Sequence, residues 1–260
     1  MSSNQESIIT WYSEGKEKDR YQASRSTGME FHYTKKYLGE YITPASHVIE
    51  LGCGAGYYGM HFSDKCASYT GVDMSPDNIS IFQTNIIAAK ANNLSAVVGD
   101  ATALSDFSDN SFDVVMCLGP MYHLPREERM KVFKECRRIA TEGAVIAFAY
   151  INRIGVYAGA CVLDSKYPNA EVNKLVFEQD TGDDATGIFI FSSPEEMEAD
   201  ALKNGFTVLN SCGLDFLFAS SVIDKMSDTQ FECYSELADR MSESPSCTGL
   251  SNHALLICRK

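Results

Sequence analysis

Three observations predict an open, doubly wound α/β fold. Apolar strand-like runs alternate with helical patterns through the first 150 residues or so; the strands carry apolar residues on both faces; and the links between them suit right-handed crossovers that return parallel. A glycine-rich turn directly after the first strand places a ligand-binding loop where this architecture puts one.

The chain opens with a helical stretch over roughly Gly28–Tyr41. Strands are predicted at His47–Leu51, Tyr69–Asp73, Ala96–Val98, Phe112–Leu118 and Ala144–Tyr150, separated by helical patterns at Tyr57–Ser63, Pro76–Asn92 and Arg126–Ala140. In the last of these, Met130, Phe133, Cys136 and Ala140 recur every three or four residues with charges on the other face, the pattern of one helix lying on a sheet. Farther on, a helix is expected at Pro194–Asn204, capped by Ser193 and stopped by Gly205, then strands at Phe206–Asn210 and His253–Arg259. About 40 residues separate the fifth strand from that helix, and about 40 more, with a helical pattern at Thr229–Met241, separate the last two strands. Insertions of this length in a compact domain usually act as covers. The chain divides accordingly into an N-terminal helical lid segment (1–46), a cofactor-binding core (47–151), a cap insertion (152–193) and a segment that completes the sheet (194–260) around a second cap insertion at about 214–247.

Composition narrows the function. With 22 Lys and Arg against 35 Asp and Glu, the net charge of −13 argues against a duplex-binding or anionic-membrane surface, so neither nucleic acid nor membrane is an expected partner. The N-terminus lacks the charged and apolar regions of a signal peptide, and the longest apolar run, Ala144 to Ile151, is eight residues, too short to span a bilayer. Nine cysteines are scattered with no C-x-x-C, several within apolar strand-like runs, as expected of buried thiols in a reducing cytoplasm.

The stretch VIELGCGAGYYGMHF at 48–62 carries the most chemistry. Gly54 to Gly59 satisfy G-x-G-x-x-G, so a nicotinamide cofactor is the first candidate, but in that frame the turn has already begun before the first glycine. The strand boundary fits better with an acid at the strand end, Glu50, followed by Gly52, Gly54 and Gly56. Glycines at such a turn let the backbone approach a ligand and direct N–H groups toward it. A second acid, Asp73, ends the second strand 21 residues beyond Gly52, where the topology places a carboxylate beside a ribose. A third, Asp100 in VVGDATAL, is a candidate to face an adenine amino group, and the fourth strand ends in FDVVMCLGPMYHL at the same sheet edge.

Four motifs in order, VIELGCGAG, TGVDMSPDNI, VVGDATAL and FDVVMCLGPMYHL, resemble those of the class I S-adenosylmethionine-dependent methyltransferases over about Tyr33 to Tyr150. CLGPMYHL further resembles a bacterial small-molecule subgroup in which an Arg-containing stretch precedes the first strand, as DRYQASRSTGMEF does here. The resemblance implies a Rossmann-like seven-stranded sheet of parallel strands with one antiparallel strand and helical cap insertions, with S-adenosylmethionine as cofactor. It also implies methyl transfer to an O, N or S atom of a small-molecule acceptor by a monomer or homodimer, with no metal. It would place the backbone of Gly52, Gly54 and Gly56 against the methionine part of the cofactor with Glu50 nearby. Asp73, followed by Asn78, would lie at the ribose, Met74 on the adenine, Asp100 and Ala101 at its amino edge, and Leu118 and Gly119 beneath the sulfonium. Tyr21 and Arg25, with Tyr12 and Arg20, would belong to a lid in which an Arg pairs the methionine carboxylate; alternatively the segment is a solvated leading helix.

Because a sulfonium methyl is already activated, side chains have only to orient the acceptor and take its proton where it carries one. His123 is the best-placed candidate, as base or orienting donor, although it would equally bond the cofactor or cap the helix near Arg126. Tyr122 is a second candidate or a pocket wall. Tyr150 and Asn152 are expected to face the acceptor or simply to end a strand, and His253 to sit at a strand edge. Rival readings are a cofactor-binding module without catalysis, a nicotinamide oxidoreductase, a nucleic-acid methyltransferase and, through Cys161 and Cys212, a metalloid methyltransferase. Aromatics of the insertions, Tyr157, Phe177, Phe189, Phe216 and Phe218, are expected to enclose an acceptor or to join the core.

Overall fold

The computed structural model describes residues 3–12, 20–159, 170, 188–216 and 220–260. Among the described residues three helices lead in, α1 (Ser3–Tyr12), α2 (Arg20–Ala23) and α3 (Arg25–Gly39), where sequence predicted one from Gly28. A capping box between Ser24 and Thr27 starts α3 ahead of the expected residue. The core follows as β1 (His47–Leu51), α4 (Tyr57–Phe62), β2 (Ser68–Asp73), α5 (Pro76–Ala89), β3 (Leu94–Val98), β4 (Phe112–Cys117), α6 (Arg126–Ile139) and β5 (Ala140–Ile151). The described remainder comprises α7 (Arg153–Gly159), α8 (Pro194–Lys203), β6 (Thr207–Gly213), α9 (Ser220–Ile223), α10 (Asp228–Ser242), α11 (Pro245–Thr248) and β7 (His253–Arg259).

Local signals fix several boundaries. Ser75 accepts from the Asn78 N–H and Pro76 opens α5, whereas Lys90 in the left-handed region (φ 54°) ends it before the predicted Asn92. Ser193 and Glu196 form a capping box on α8. β5 begins at Ala140, four residues earlier than expected, because the chain becomes extended directly at the end of α6 and pairs Phe112 with Ala140.

All seven strands form one sheet in the order β3-β2-β1-β4-β5-β7-β6. β1 pairs parallel with β2 and β4, β2 with β3, and β4 with β5, while β7 runs antiparallel to both β5 and β6. The predicted sheet, with one strand reversed, is the observed one. Two apolar layers cover it: Val48, Phe62, Tyr69, Phe82 and Met116 belong to one, Ile49, Leu51, Val115, Phe133 and Ile146 to the other. Since β2 and β3 are added on one side of β1 and β4 and β5 on the other, the strand order reverses at β1, and a crevice opens at the strand C-termini there.

Helix α10 packs beside α3, held by Tyr37 Oη to Ser242 Oγ (2.7 Å) and by Lys36 with Asp239 and Glu243 (both 3.2 Å). No described helix is long and apolar enough to cross a membrane.

Candidate active site

At the C-terminal ends of β1 and β4 lies a cavity of about 600 Å³, a size typical of small-ligand sites. β1 delivers Glu50 to it and then turns through Gly52, Gly54 and Gly56, all with positive φ. Two of these glycines answer to packing. A Cβ on Gly52 would stand 2.8 Å from Gly119 Cα, so the loops after β1 and β4 touch back to back. A Cβ on Gly56 would stand 2.0 Å from the buried Phe82 ring, which also presses on Gly59 and Gly71. Sequence reading expects such glycines to give a ligand clearance; what the structure shows at Gly56 is space for an aromatic ring from α5.

Asp73, at the end of β2, holds this loop. Its Oδ2 accepts from the Gly54 N–H (2.8 Å), and Oδ1 accepts from Ser75 N–H (2.9 Å) and Asn78 Nδ2 (3.3 Å). Burial raises its pKa, and those hydrogen bonds draw it back down. Asn78 is thus both a cavity wall and a support for Asp73. Met74, Asp100, Ala101, Leu118 and Gly119 also line the cavity, with Asp100 steadied by the backbone N–H (2.8 Å) and hydroxyl (2.7 Å) of Thr102.

Glu50 is 1% exposed and accepts from the Tyr69 hydroxyl at 2.5 Å. Burial, partly offset by that bond, raises its pKa to about 8. The partner was legible only in register: Val48 pairs with Tyr69 and Glu50 with Gly71, so Tyr69 is the diagonal neighbour of Glu50. An unfolded carboxyl ionises near 4.5, so folding grows less favourable as pH rises from there toward 8. Glu50→Gln keeps an acceptor for Tyr69 and carries no charge. It is expected to stabilise the ligand-free protein by about 1–2 kcal/mol at pH 8, with the gain fading as pH falls toward 4.5. Denaturant midpoints of both proteins across that range are the check; a gain independent of pH would contradict it.

The other end of the cavity follows β4, where Pro120–Tyr122 make a 3₁₀ turn that leads to His123. Tyr122 and His123 line the cavity beside Leu124. The His123 ring bonds the Tyr12 hydroxyl through Nε2 and the Ile188 carbonyl through Nδ1, each at 2.9 Å. The Ile190 N–H donates to the Tyr122 carbonyl (2.8 Å), fastening the segment before α8 to this turn. The N-terminal helices supply the remaining walls: Ile8 and Tyr12 from α1, Arg20 from α2, and Glu30, Phe31 and Thr34 from α3. Arg20 pairs with Glu30 at 2.6 Å.

Other expected site residues lie elsewhere. Arg25 turns away from the cavity to bond the Met226 carbonyl (2.6 Å) and Asp228, with its guanidinium over the Phe231 ring, so it ties α3 to α10. Tyr150 is 1% exposed within the layer beneath α6 and α8, and Ala149 reaches the cavity in its place, because alternate strand residues face opposite ways. Asn152 is fully buried and donates to the carbonyls of Gly249 (2.8 Å) and Ser251 (2.9 Å), a brace for the chain entering β7. The side chain of Tyr21 lies outside the described residues, as do Cys161, Phe177 and Phe218. Cys212 is buried in β6, bonding the Leu255 carbonyl, and Phe216 packs on Gly213, neither at the cavity. Among the described residues, none beyond Ala149 lines the cavity, and no three His, Cys, Asp or Glu side chains group as metal ligands. His253 contacts Asp215 (2.7 Å) and approaches Glu30 (3.9 Å); burial lowers its pKa, but the two carboxylates prevail and raise it to about 8.

Comparison with known proteins agrees with this geometry. Residues 48–143 match the family model of a methyltransferase domain. Ubiquinone biosynthesis O-methyltransferases are similar: that of Coxiella burnetii (strain Dugway 5J108-111) is 30% identical over 45% of this chain and 49% of its own length, and that of Pseudomonas fluorescens (strain Pf-5) is 27% identical over 65% and 68%. The chain thus spans about half the length of the first of these relatives. In structure, it is similar to a chain from the complex between the Haloferax volcanii Trm112 methyltransferase activator and a putative methyltransferase, with a TM-score of 0.62, 17% identity, and 99% and 97% of the two chains covered.

Proposed function

We propose that this chain, whose residues 48–143 match a methyltransferase domain set in a class I fold, is an S-adenosylmethionine-dependent methyltransferase acting on a small-molecule acceptor. One observation carries this reading: among the described residues, the crevice at the switch point is lined by Glu30, Glu50, Asp73 and Asp100 against one arginine, Arg20, itself paired with Glu30. A ligand with a sulfonium and an ammonium suits an acidic cavity. The pyrophosphate of a nicotinamide dinucleotide would meet the same acids as a polyanion and be repelled. When bound, S-adenosylmethionine supplies an activated methyl group.

The residues present fit that cofactor. Asp73 and Asn78 would take the ribose, Met74 an adenine face, Asp100 and Ala101 the adenine edge, and Glu50 with the glycine loop the methionine end. Leu118 and Gly119 would border the reacting centre. Residues 1–46 would act as a lid, since Ile8, Tyr12, Arg20, Glu30 and Phe31 wall the cavity, followed by a core at 47–151, a cap at 152–193 and a completing segment at 194–260. The LGPMYHL turn supports a place in the bacterial small-molecule subgroup, and buried thiols support a reducing cytoplasm. The name shared by the relatives favours oxygen as the acceptor atom.

Calorimetric titration with S-adenosylhomocysteine tests the cofactor. Binding is expected, with protons released near pH 7, because a ligand ammonium beside Glu50 draws its pKa down from about 8. Affinity therefore rises with pH through 7 to 8. Absence of binding would sink the proposal, and proton uptake would remove Glu50 from the cationic end.

A further inference from the structure

Charges of alternating sign run from the cavity wall into the sheet. Arg20 of α2, over the Phe31 ring at 5.7 Å, donates to Glu30 Oε2 of α3 (2.6 Å). The same oxygen lies 3.9 Å from Nδ1 of His253, which opens β7. Asp215, just past β6, grips that histidine twice: Oδ1 accepts from its backbone N–H (2.6 Å) and Oδ2 from Nδ1 (2.7 Å). Backbone bonds fix this grip, since the Leu214 N–H donates to the His253 carbonyl (2.9 Å) and the Asn252 N–H to the Asp215 carbonyl (3.0 Å). Arg20 and Glu30 belong to the cavity wall, and His253 and Asp215 stand behind it. The side chains of Glu30, His253 and Asp215 are largely buried, so salt screens them little. Among the described residues, the other ionisable groups beside them are phenols, Tyr58 of α4 near Glu30 and Tyr234 of α10 near Asp215, and burial raises the pKa of both. Charge on the imidazole therefore decides whether the two carboxylates share a cation or face a neutral ring.

We propose that His253 is a positioning residue that, as a cation between Asp215 and Glu30, holds α2 and α3 closed over the ligand cavity; that the ligand is the S-adenosyl cofactor rests on the methyl-transfer reading above. When His253 is neutral, Glu30 loses its attraction to the start of β7, the hold on α3 weakens, and Arg20 moves with Glu30. A bound ligand needs these helices closed, since Arg20, Glu30, Phe31 and Thr34 wall its cavity. The ligand and the proton on His253 thus favour the same closed state, and each strengthens the other. Burial lowers the His253 pKa, but Glu30 and then Asp215 outweigh it and raise it from the ordinary 6.5 to about 8. The contribution to closure is full below 6.5 and is lost as pH rises through 8. The whole shift corresponds to about 30-fold; Asp215 stays with His253 when the helices open, which leaves about 5- to 10-fold to Glu30.

Proton NMR of the five histidines tests the pairing without any ligand. The resonance missing from His253→Gln is expected to titrate near 8 in the parent and about half a unit or more lower in Glu30→Gln; an unmoved midpoint overturns the proposal. Calorimetry then compares S-adenosylhomocysteine affinity for the parent and for His253→Gln, which keeps a donor for Asp215 and carries no charge, from pH 6.5 to 9. Glu50 is common to both proteins and cancels in the ratio. The parent should bind about 5- to 10-fold tighter at pH 6.5 and equally at pH 9. A ratio that does not change with pH is what a histidine serving only packing would give, and it overturns the proposal. Should His253→Gln fail to fold, Asp215→Asn takes its place. It lies outside the cavity and lowers the histidine midpoint, so the affinity attributed to closure should be lost at a correspondingly lower pH; an unshifted profile counts against the hold. If S-adenosylhomocysteine binds neither protein, the methyl-transfer reading fails, and tryptic cleavage of α3 at Lys35 and Lys36 decides the role of His253. Cleavage faster in His253→Gln than in the parent at pH 7, with the difference gone at pH 9, supports the hold on α3, and equal rates at pH 7 overturn it.

Discussion

Replacing Asp73 by alanine is expected to weaken S-adenosylhomocysteine binding by roughly 100- to 1,000-fold, about 3–4 kcal/mol, the scale of one or two hydrogen bonds to a charged group lost together. The carboxylate acts in two ways. On the proposed reading it would bind the ribose, and it already holds the Gly54 N–H, the Ser75 N–H and Asn78. Alanine therefore removes a ligand partner and also releases the glycine loop from the start of α5. A ligand lacking the ribose 2′ and 3′ hydroxyls separates these parts. Where the carboxylate works through the ribose, the penalty of the substitution shrinks with that ligand; where it works only through the loop, the penalty is the same for both. An unchanged affinity for the intact ligand would move the ribose away from Asp73.

The order of acids and glycines was readable because each sits at a strand end, and a strand end is marked by the break in an apolar run. Glu50, Asp73 and Asp100 thus reach one cavity from three strands. The phase of the fifth strand was not readable. In AVIAFAYI every position is apolar, since this central strand is covered on both faces, and alternation that would have told Ala149 from Tyr150 is absent. Arg20 and Arg25 posed a similar problem: both lead into the fold, and only packing against α10 shows that Arg25 serves Asp228 while Arg20 enters the cavity. The Tyr12–His123 contact spans 111 residues and leaves no periodic trace, so its two members were visible singly and their partnership was not. The sixth strand was cut short at Asn210 because polar Asn210 and Ser211 follow a register shift after Val208, which a pattern of alternation cannot pass through.

Gly56→Ala is expected to destabilise the protein by about 2–5 kcal/mol, combining about 1–2 for a left-handed backbone and about 1–3 for over-packing. The residue has φ 85° at the start of α4, and its new methyl would stand 2.0 Å from a Phe82 ring that has no exposed surface. Phe82 has no easy retreat, since Gly59 and Gly71 already meet it, at 2.4 and 2.6 Å from where a Cβ would stand on each. α4 must shift instead, carrying Tyr57 and Tyr58, both of which line the cavity, so ligand affinity should fall along with stability. A double-mutant cycle with Phe82→Ala separates the two costs: once the ring is gone the steric part of the Gly56→Ala penalty disappears and the backbone part stays. Strict additivity in denaturant unfolding would mean that Phe82 is not what keeps position 56 a glycine. A sub-additive result would assign this glycine to the seating of α5 on the first two strands, and its role at the cofactor would follow from that seating.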